Sequence, residues 1–115
     1  MLQTLVLDFK ALSDPNRIRI LEMLKIRPLC VCEITHVLQL ATSTVSKHLS
    51  ILRKAGFIIN EKEGKWANYR LLKPKSTQDI HQITSMMSKC LSDDSVIRED
   101  AVKVESVNRY EVCKI

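Results

Sequence analysis

Residues 30–56 read CVCEITHVLQLATSTVSKHLSILRKAG. Apolar residues recur at helical spacing in two runs, residues 30–38 and 42–54, which predicts two short helices. The intervening Gln39-Leu40-Ala41 predicts a tight turn, and Gly56 is typical of the position just past a helix C-terminus. Two short helices joined in this way form a helix-turn-helix pattern, which is most often found in proteins that bind DNA.

The periodicity changes after Gly56. Residues 57–61 and 66–71 contain the β-branched and aromatic residues of strands, and Glu63-Gly64-Lys65 predicts the turn between them. A hairpin that follows the second helix of such a motif is a wing. Because a two-stranded hairpin is marginally stable alone, we expect aromatic and apolar residues such as Trp66 to pack it against the helices.

Helical patterns also flank this region. Upstream, residues 2–12 and 15–25 predict two helices, and downstream residues 77–91 predict a fifth, followed by a short helix and a loose end. The predicted fold is mainly α with a small β-hairpin, in the order α-α-α-α-β-β-α. We expect one DNA-binding and dimerisation domain over residues 1–91 and a C-terminal helix or tail over 92–115. The apolar faces of the first and fifth helices predict a homodimer.

Composition supports a single domain. The chain has 115 residues, of which 45% are hydrophobic and 27% charged, as in an average globular protein. No apolar run approaches the roughly 18 residues that a bilayer requires, and the N-terminal residues do not resemble a signal peptide. We therefore expect a cytoplasmic protein without a membrane partner. In that compartment the four cysteines are expected to be reduced.

Positive charge is concentrated in one stretch. Residues 42–73 contain seven Lys and Arg against two Glu, which accounts for the whole net charge of +5. A basic segment on a near-neutral body indicates a polyanionic partner, most simply double-stranded DNA. We expect small hydroxyl and basic residues of the second helix to enter the major groove, with the basic residues beyond it holding the backbone. The candidate DNA-binding residues are Ser43, Thr44, Ser46, Lys47, His48, Arg53, Lys62, Lys65 and Arg70.

The region from residue 14 to residue 71 resembles the ArsR/SmtB family of winged helix-turn-helix repressors, in particular its arsenite-responsive branch. The resemblance is carried by LSDPNRIRIL (12–21), LCVCEI (29–34), STVSKHLSILRKAGFI (43–58) and EGKWANYRL (63–71). It implies a homodimer that binds an operator and releases it when an inducer binds. No cofactor would be required, and the inducer would be As(III) or Sb(III).

Cys30 and Cys32 match the inducer motif of that family. Thiolates are soft ligands that suit trivalent arsenic or antimony, and a helix N-terminus favours the thiolate. Residues two apart on a helix point about 200° away from each other, so we expect both sulfurs to reach one ion only if the helix end is frayed or distorts on binding. Such distortion would strain the first helix of the motif and move the second helix away from DNA.

The third ligand is open because Thr35 stands where the family has a further cysteine. An external thiol or Thr35 could complete a two-sulfur site, or Cys90 or Cys113 could supply the third sulfur; loss of sensing is the remaining alternative. We take Cys30, Cys32 and Cys113 as the candidate metal site, since Cys90 lies on an apolar helix face.

Other function classes have weaker support. The zinc sensors of the family bind metal on the fifth helix, and Asp79 and His81 reproduce only the first half of that pattern, with Ser92 and Ser95 in the second. The cadmium sensors of the family normally have cysteines in an N-terminal arm, and this sequence has none before Cys30. A redox-sensing repressor and a winged-helix interaction module are further alternatives. An enzyme is not expected, because no Cys-x-x-Cys, phosphate loop or paired carboxylates appear.

Overall fold

The computed structural model describes residues 1–113. Seven helices and three short strands make up this part of the chain, together with a single 3₁₀ turn, Ile80–Gln82. The helices are α1 Leu2–Leu12, α2 Pro15–Ile26, α3 Val31–Leu38, α4 Thr42–Lys54, α5 Ile83–Cys90, α6 Ser95–Ser106 and α7 Arg109–Val112. The strands are β1 Leu29–Cys30, β2 Ile58–Glu63 and β3 Trp66–Leu71. The predicted winged helix-turn-helix fold is confirmed.

The helix boundaries follow local chemistry. Asp14 is the N-cap of α2 and accepts hydrogen bonds from the backbone amides of Asn16 and Arg17, with Pro15 at the first helical position. α4 begins at Thr42, and the preceding Ala41 is its N-cap. Gly56 lies just past α4 with φ +82°, the left-handed conformation that glycine adopts without strain.

The helix-turn-helix helices pack on α2 around one core. α3 buries Ile34 and Val37, and α4 buries Val45, Leu49 and Leu52. These three residues form the inward face of α4. Its opposite face stays free, because nothing in the described residues packs over it.

The hairpin is the larger part of a three-stranded antiparallel sheet in the order β1-β3-β2. β1 consists of two residues that the sequence pattern did not reveal. It pairs Leu29 with Tyr69 and Cys30 with Asn68 on β3. The wing is thereby joined through backbone hydrogen bonds to the residue that precedes α3. Trp66 and Phe57 are buried, as expected for a hairpin that packs on helices.

The fifth predicted helix is shorter than expected. Residues 77–79 are not helical, the chain first forms the 3₁₀ turn, and α5 then ends at Cys90. Asp79 caps this turn by accepting the amide of His81, which fixes a later helix start than the apolar pattern indicated.

Residues 95–113 pack on the body and do not form the loose end that we expected, and residues 114 and 115 lie outside the described residues. Val104 of α6 is fully buried in the core, and Asp100 forms two hydrogen bonds with the Arg19 guanidinium, at 2.8 and 2.9 Å. Asn108 then caps α7, which places Cys113 in a buried position. Within residues 1–113, no helix combines the length and apolar character needed to cross a membrane.

Candidate functional site

The free face of α4 carries four of the predicted DNA-binding residues. Ser43, Thr44, Ser46 and Lys47 are all exposed, on the side of the helix opposite its buried stripe. Their side chains are short hydroxyls and one flexible cation, so a second molecule can approach the helix closely. This is the chemistry expected of a helix that fits into the major groove.

The other basic residues lie at the end of α4 and along the hairpin. Arg53, Lys62 and Lys65 are exposed. Arg70 is exposed as well, but its guanidinium donates to the Glu61 carboxylate at 3.0 and 2.6 Å on the neighbouring strand. Within the described residues, no acidic side chain pairs with Arg53, Lys62 or Lys65, whereas Arg70 is paired with Glu61.

His48 occupies a different environment from the rest of the predicted set. Its side chain is only 13% exposed, and its Nδ1 lies 3.1 Å from the Arg17 guanidinium. Arg17 also donates to the carbonyls of Ala11 and Lys10 at the end of α1. His48 thus contacts the α1–α2 junction, away from the free face of α4 on which we expected it to bind DNA.

Three cysteine sulfurs lie together at the N-terminus of α3. The Sγ atoms of Cys30, Cys32 and Cys113 are all within 4.8 Å of one another, and those of Cys30 and Cys113 are 3.6 Å apart. Cys32 and Cys113 are joined by a disulfide, so the expectation of four reduced thiols is wrong for these two residues. The exposed Cys90 lies outside this cluster. We call Cys30, Cys32 and Cys113 the sulfur cluster.

No helix distortion is needed to bring the two neighbouring sulfurs together. Cys30 is not on the helix: it is the N-cap of α3, with the extended backbone angles φ −87° and ψ 166°. The 200° divergence expected for residues two apart applies only when both are helical. Of the two expected possibilities, a frayed helix end or a distortion on binding, the structure agrees with the first, because Cys30 belongs to β1 and the helix begins after it.

Burial determines the protonation of Cys30. Its residue is 3% exposed, and removal from water raises the pKa of the thiol. The Glu33 carboxylate accepts the Cys30 backbone amide at 3.0 Å, while its second oxygen lies 3.1 Å from Arg27. Desolvation thus outweighs the helix N-terminus, and the expected preference for thiolate is wrong at Cys30.

The wing covers the sulfur cluster. Trp66, the first residue of β3, is 8% exposed and packs with Cys30 and Cys113 in one buried group. The ring of Tyr110 meets the Trp66 ring edge-on, with centroids 5.7 Å apart. A ligand at the sulfurs would therefore lie directly beneath the hairpin.

Known proteins share this fold and sequence. HlyU from Vibrio cholerae N16961 superposes with a TM-score of 0.66 at 27% identity, covering 79% of this chain and 95% of that one. The Arsenic resistance transcriptional regulator ArsR1 of Pseudomonas putida is 44% identical over 64 residues, 55% of this chain and 50% of the relative. ArsR2 of the same organism is 32% identical over 93 residues, 76% of this chain and 80% of the relative.

The family described as "Bacterial regulatory protein, arsR family" matches residues 14–60. The chain belongs to the arsR family. Its matched region spans about half the length of ArsR1. The matching family model is described as a bacterial regulatory protein, and ArsR1 and ArsR2 are both named as transcriptional regulators.

Thr35 and Cys32 border the same cavity. Thr35, which stands at the expected position of a third cysteine, has a buried hydroxyl oxygen without a hydrogen-bond partner in the described residues. It borders an open cavity of about 430 Å³ beside Cys32, with Thr42 and Glu111 also in the lining. The structure thus places Cys113 in the sulfur cluster, and Thr35 next to the cluster.

The alternative arsR-family metal site has few ligands. His81 Nδ1 lies 3.4 Å from the Asp79 carboxylate, and its ring packs on Phe57 with centroids 4.1 Å apart. Hydrogen bonds from the backbone amides of His81 and Lys75 lower the pKa of Asp79. Among residues 1–113, the sulfur cluster is the one group of three or more potential ligands.

Sequence reasoning missed the residues that surround the sulfur cluster in this arsR-family chain. Arg109 lies over the Trp66 ring, with its guanidinium carbon 4.8 Å from the ring centroid, and it bonds to the hairpin. Asn108, a residue typical of N-caps, was the local signal for α7. Four residues are too few for a periodic pattern, so the helix was not predicted.

Proposed function

We propose that this arsR-family chain is a repressor that binds operator DNA as a homodimer and releases it when As(III) or Sb(III) binds the sulfur cluster. The observation that carries the proposal is the approach of the Cys30, Cys32 and Cys113 sulfurs to within 4.8 Å of one another. They meet at the start of the helix that precedes α4. The names of ArsR1 and ArsR2 support an arsenical as the inducer.

The DNA-binding half of the proposal rests on the exposed face of α4. We place Ser43, Thr44, Ser46 and Lys47 in the major groove, where hydroxyls bond to base edges or phosphates and the cation neutralises a phosphate. The remaining candidate contacts, to the sugar-phosphate backbone, are made by Arg53, Lys62, Lys65 and Arg70. Because His48 contacts Arg17, we propose that it holds α4 against the start of α2 and does not bind DNA.

The inducer half rests on sulfur chemistry. Once a reductant has opened the Cys32–Cys113 disulfide, three thiols are available at one place. At neutral pH arsenite is As(OH)₃, and three thiols replace its three hydroxyls to give a three-sulfur pyramid and three molecules of water. Oxidation states do not change in this exchange. The raised pKa of Cys30 is compatible with this inducer, because thiol protons leave as part of water.

The homodimer is supported by apolar surface on α1 and α5. The chain leaves a row of large apolar side chains of α1 in water, and Met86 of α5 is 65% exposed. The exposed residues of α1 are Leu2, Leu5, Val6, Leu7 and Phe9. We assign DNA binding and dimerisation to residues 1–91, and the third sulfur to the C-terminal unit over 92–115.

The test is a titration of reduced protein with arsenite in the presence of a duplex selected from random sequence for binding to the wild-type chain. Wild type should release the duplex, and X-ray absorption should count three sulfurs around arsenic. Cys113→Ser should keep its affinity for the duplex but show two sulfurs and weaker release. Cys90→Ser is the matched control and should behave as wild type, since Cys90 is exposed and outside the cluster. Retention of the duplex by arsenite-saturated wild type would contradict the proposal.

The same duplex tests the DNA-facing surface. Lys47→Ala should weaken binding and reduce the slope of log affinity against log salt by about one, because one phosphate contact is lost. Lys103→Ala, a basic residue of α6, is the control. Equal effects of the two substitutions would remove α4 from the interface.

A redox-sensing repressor is a second candidate, and the Cys32–Cys113 disulfide favours it. Here a peroxide would take two electrons and two protons from the two thiols, leaving a disulfide and two molecules of water. Under this alternative, the oxidised protein would bind the duplex with a different affinity from the reduced protein in the absence of arsenite. Equal affinities of the two forms would leave the metalloid as the inducer.

A further inference from the structure

α7 contacts both the wing and the sulfur cluster. At its first residue, Arg109 donates to Asn68 Oδ1 at 3.2 Å and to Glu63 Oε1 at 3.3 Å. The Arg109 guanidinium also stacks over Trp66 and is only 19% exposed. This one side chain thus contacts both strands of the hairpin, because Glu63 ends β2 while Asn68 and Trp66 belong to β3.

The other end of α7 belongs to the sulfur cluster. The backbone amide of Cys113 donates to the Arg109 carbonyl at 2.9 Å, which closes the single turn between the two residues. Val112 packs against the buried group of Cys30, Trp66 and Cys113. A shift of the Cys113 backbone is therefore transmitted to Arg109 over a short and hydrogen-bonded distance.

We propose that Arg109 is the positioning residue through which the sulfur cluster controls the wing; this inference rests on the proposed function. In the structure the Cys113 sulfur is bonded to Cys32 and lies 3.6 Å from the Cys30 sulfur. When the three reduced sulfurs instead bind one metalloid between them, the Cys113 sulfur changes its position relative to Cys32 and Cys30, and α7 moves with it. Because Arg109 is hydrogen-bonded to the hairpin, this movement of α7 changes the position of the wing relative to α4. DNA release follows because Lys62 and Lys65 no longer meet the phosphates while α4 lies in the groove.

This route differs from strain passed along α3. Cys30 needs no helix distortion to reach the other sulfurs, since it is an extended N-cap residue. β1 does connect Cys30 to Asn68, but it does so through the backbone ladder, which a side-chain substitution at position 109 leaves in place. An Arg109 variant therefore isolates the α7 contribution.

The experiment compares Arg109→Gln with Arg98→Gln. Both substitutions remove one guanidinium and one positive charge. The Arg98 side chain, however, is exposed on α6 and pairs with the exposed Asp93. Arsenite binding to each reduced protein is measured by equilibrium dialysis, and affinity for the selected duplex is measured with and without arsenite. In wild type, arsenite binding is expected to lower the affinity for the duplex by about 5–150-fold, the usual range for coupling between two binding sites.

Arg109→Gln should bind arsenite with wild-type stoichiometry, with affinity within about threefold, and lose most of the arsenite-induced drop in DNA affinity. Arg98→Gln should retain the whole drop. Glu63→Gln should reproduce part of the loss, and adding it to Arg109→Gln should cause no further loss, since the two side chains act through one contact.

Two results would overturn the inference. In the first, Arg109→Gln releases DNA as fully as Arg98→Gln, so the contact carries no signal. In the second, Arg109→Gln loses arsenite binding itself, so α7 only holds Cys113 in place. Failure of the proposed function is separate from both, because it appears in wild type as arsenite binding without release, or as no binding at all.

Discussion

Cys30 combines three structural roles in one residue. It ends β1, caps α3 and contributes a sulfur to the cluster beneath Trp66. Its burial raises the pKa of the thiol, so the group stays protonated over a wider pH range than a free cysteine. The charge state of this residue should therefore select between inducers that take up thiol protons and inducers that release them.

Arsenite and Cd²⁺ should differ in their pH dependence. As(OH)₃ converts the thiol protons to water, whereas Cd²⁺ requires thiolates and releases the protons to solution. Because the pKa of Cys30 is raised, lowering the pH further disfavours its thiolate, and Cd²⁺ affinity should fall by about tenfold per pH unit for each proton released. Arsenite affinity should change little over the same range, from about pH 8 to pH 6.

Isothermal titration of the reduced protein in buffers of different ionisation enthalpy checks this prediction by counting the protons released. The Cys30→Ser variant should release one proton fewer on binding Cd²⁺ than wild type. Equal proton release for arsenite and Cd²⁺ in wild type would contradict it.

At the scale of elements, periodicity was sufficient where a helix has several turns and one buried face. α1, α2, α3 and α4 and both hairpin strands lie close to their predicted bounds. β1 was not predicted because two residues carry no alternation, and its existence depends on pairing with β3. α7 was not predicted either, because its four residues are too few to show a periodic pattern. Cys113 could therefore be predicted as a ligand from sequence, but the role of Arg109 and the packing of Trp66 over the sulfurs could not.

One partly buried ion pair joins α6 to α2. Asp100 is 3% exposed, and its hydrogen bonds raise the pKa of the Arg19 guanidinium. Asp100→Ala should lower the free energy of unfolding by about 1–3 kcal/mol, since it removes two charge-assisted hydrogen bonds and leaves Arg19 partly buried without its partner. Urea denaturation of the reduced protein measures this as a lower midpoint.

Asp93→Ala is the matched control for this pair. Asp93 is 93% exposed and pairs with an exposed arginine, so its loss should leave the midpoint unchanged. A midpoint for Asp100→Ala equal to that of wild type would show that Val104 alone is enough to hold α6.

At the scale of the whole molecule, the main feature is the exposed apolar face of α1. Large apolar side chains are exposed along this helix, and a symmetric pair of chains would remove them from water. A two-fold dimer would also present two copies of α4 to neighbouring turns of the major groove, as winged and helix-turn-helix regulators require for tight binding.

Leu7→Glu should therefore weaken the dimer. Leu7 is 60% exposed in the single chain, so the substitution costs little in the monomer but places a charge in the proposed interface. The dimer dissociation constant should rise by at least about tenfold, and affinity for the selected duplex should fall with it. Sedimentation equilibrium provides the measurement.

Val102→Glu gives the comparison, because Val102 is 68% exposed on α6 and outside the proposed interface. It should leave the association of the two chains unchanged. Dissociation by both variants to the same extent, or a wild-type monomer at micromolar concentration, would refute dimerisation through α1.

The packing of Trp66 against Cys30 and Cys113 has a practical consequence. Trp66 is the one tryptophan of the chain, so its ultraviolet emission comes from a single known site. Electron-rich sulfur and a heavy atom close to an indole both quench fluorescence. The protein thus contains an intrinsic optical probe of its thiols, and the kinetics of inducer capture can be followed by stopped flow without attaching a dye.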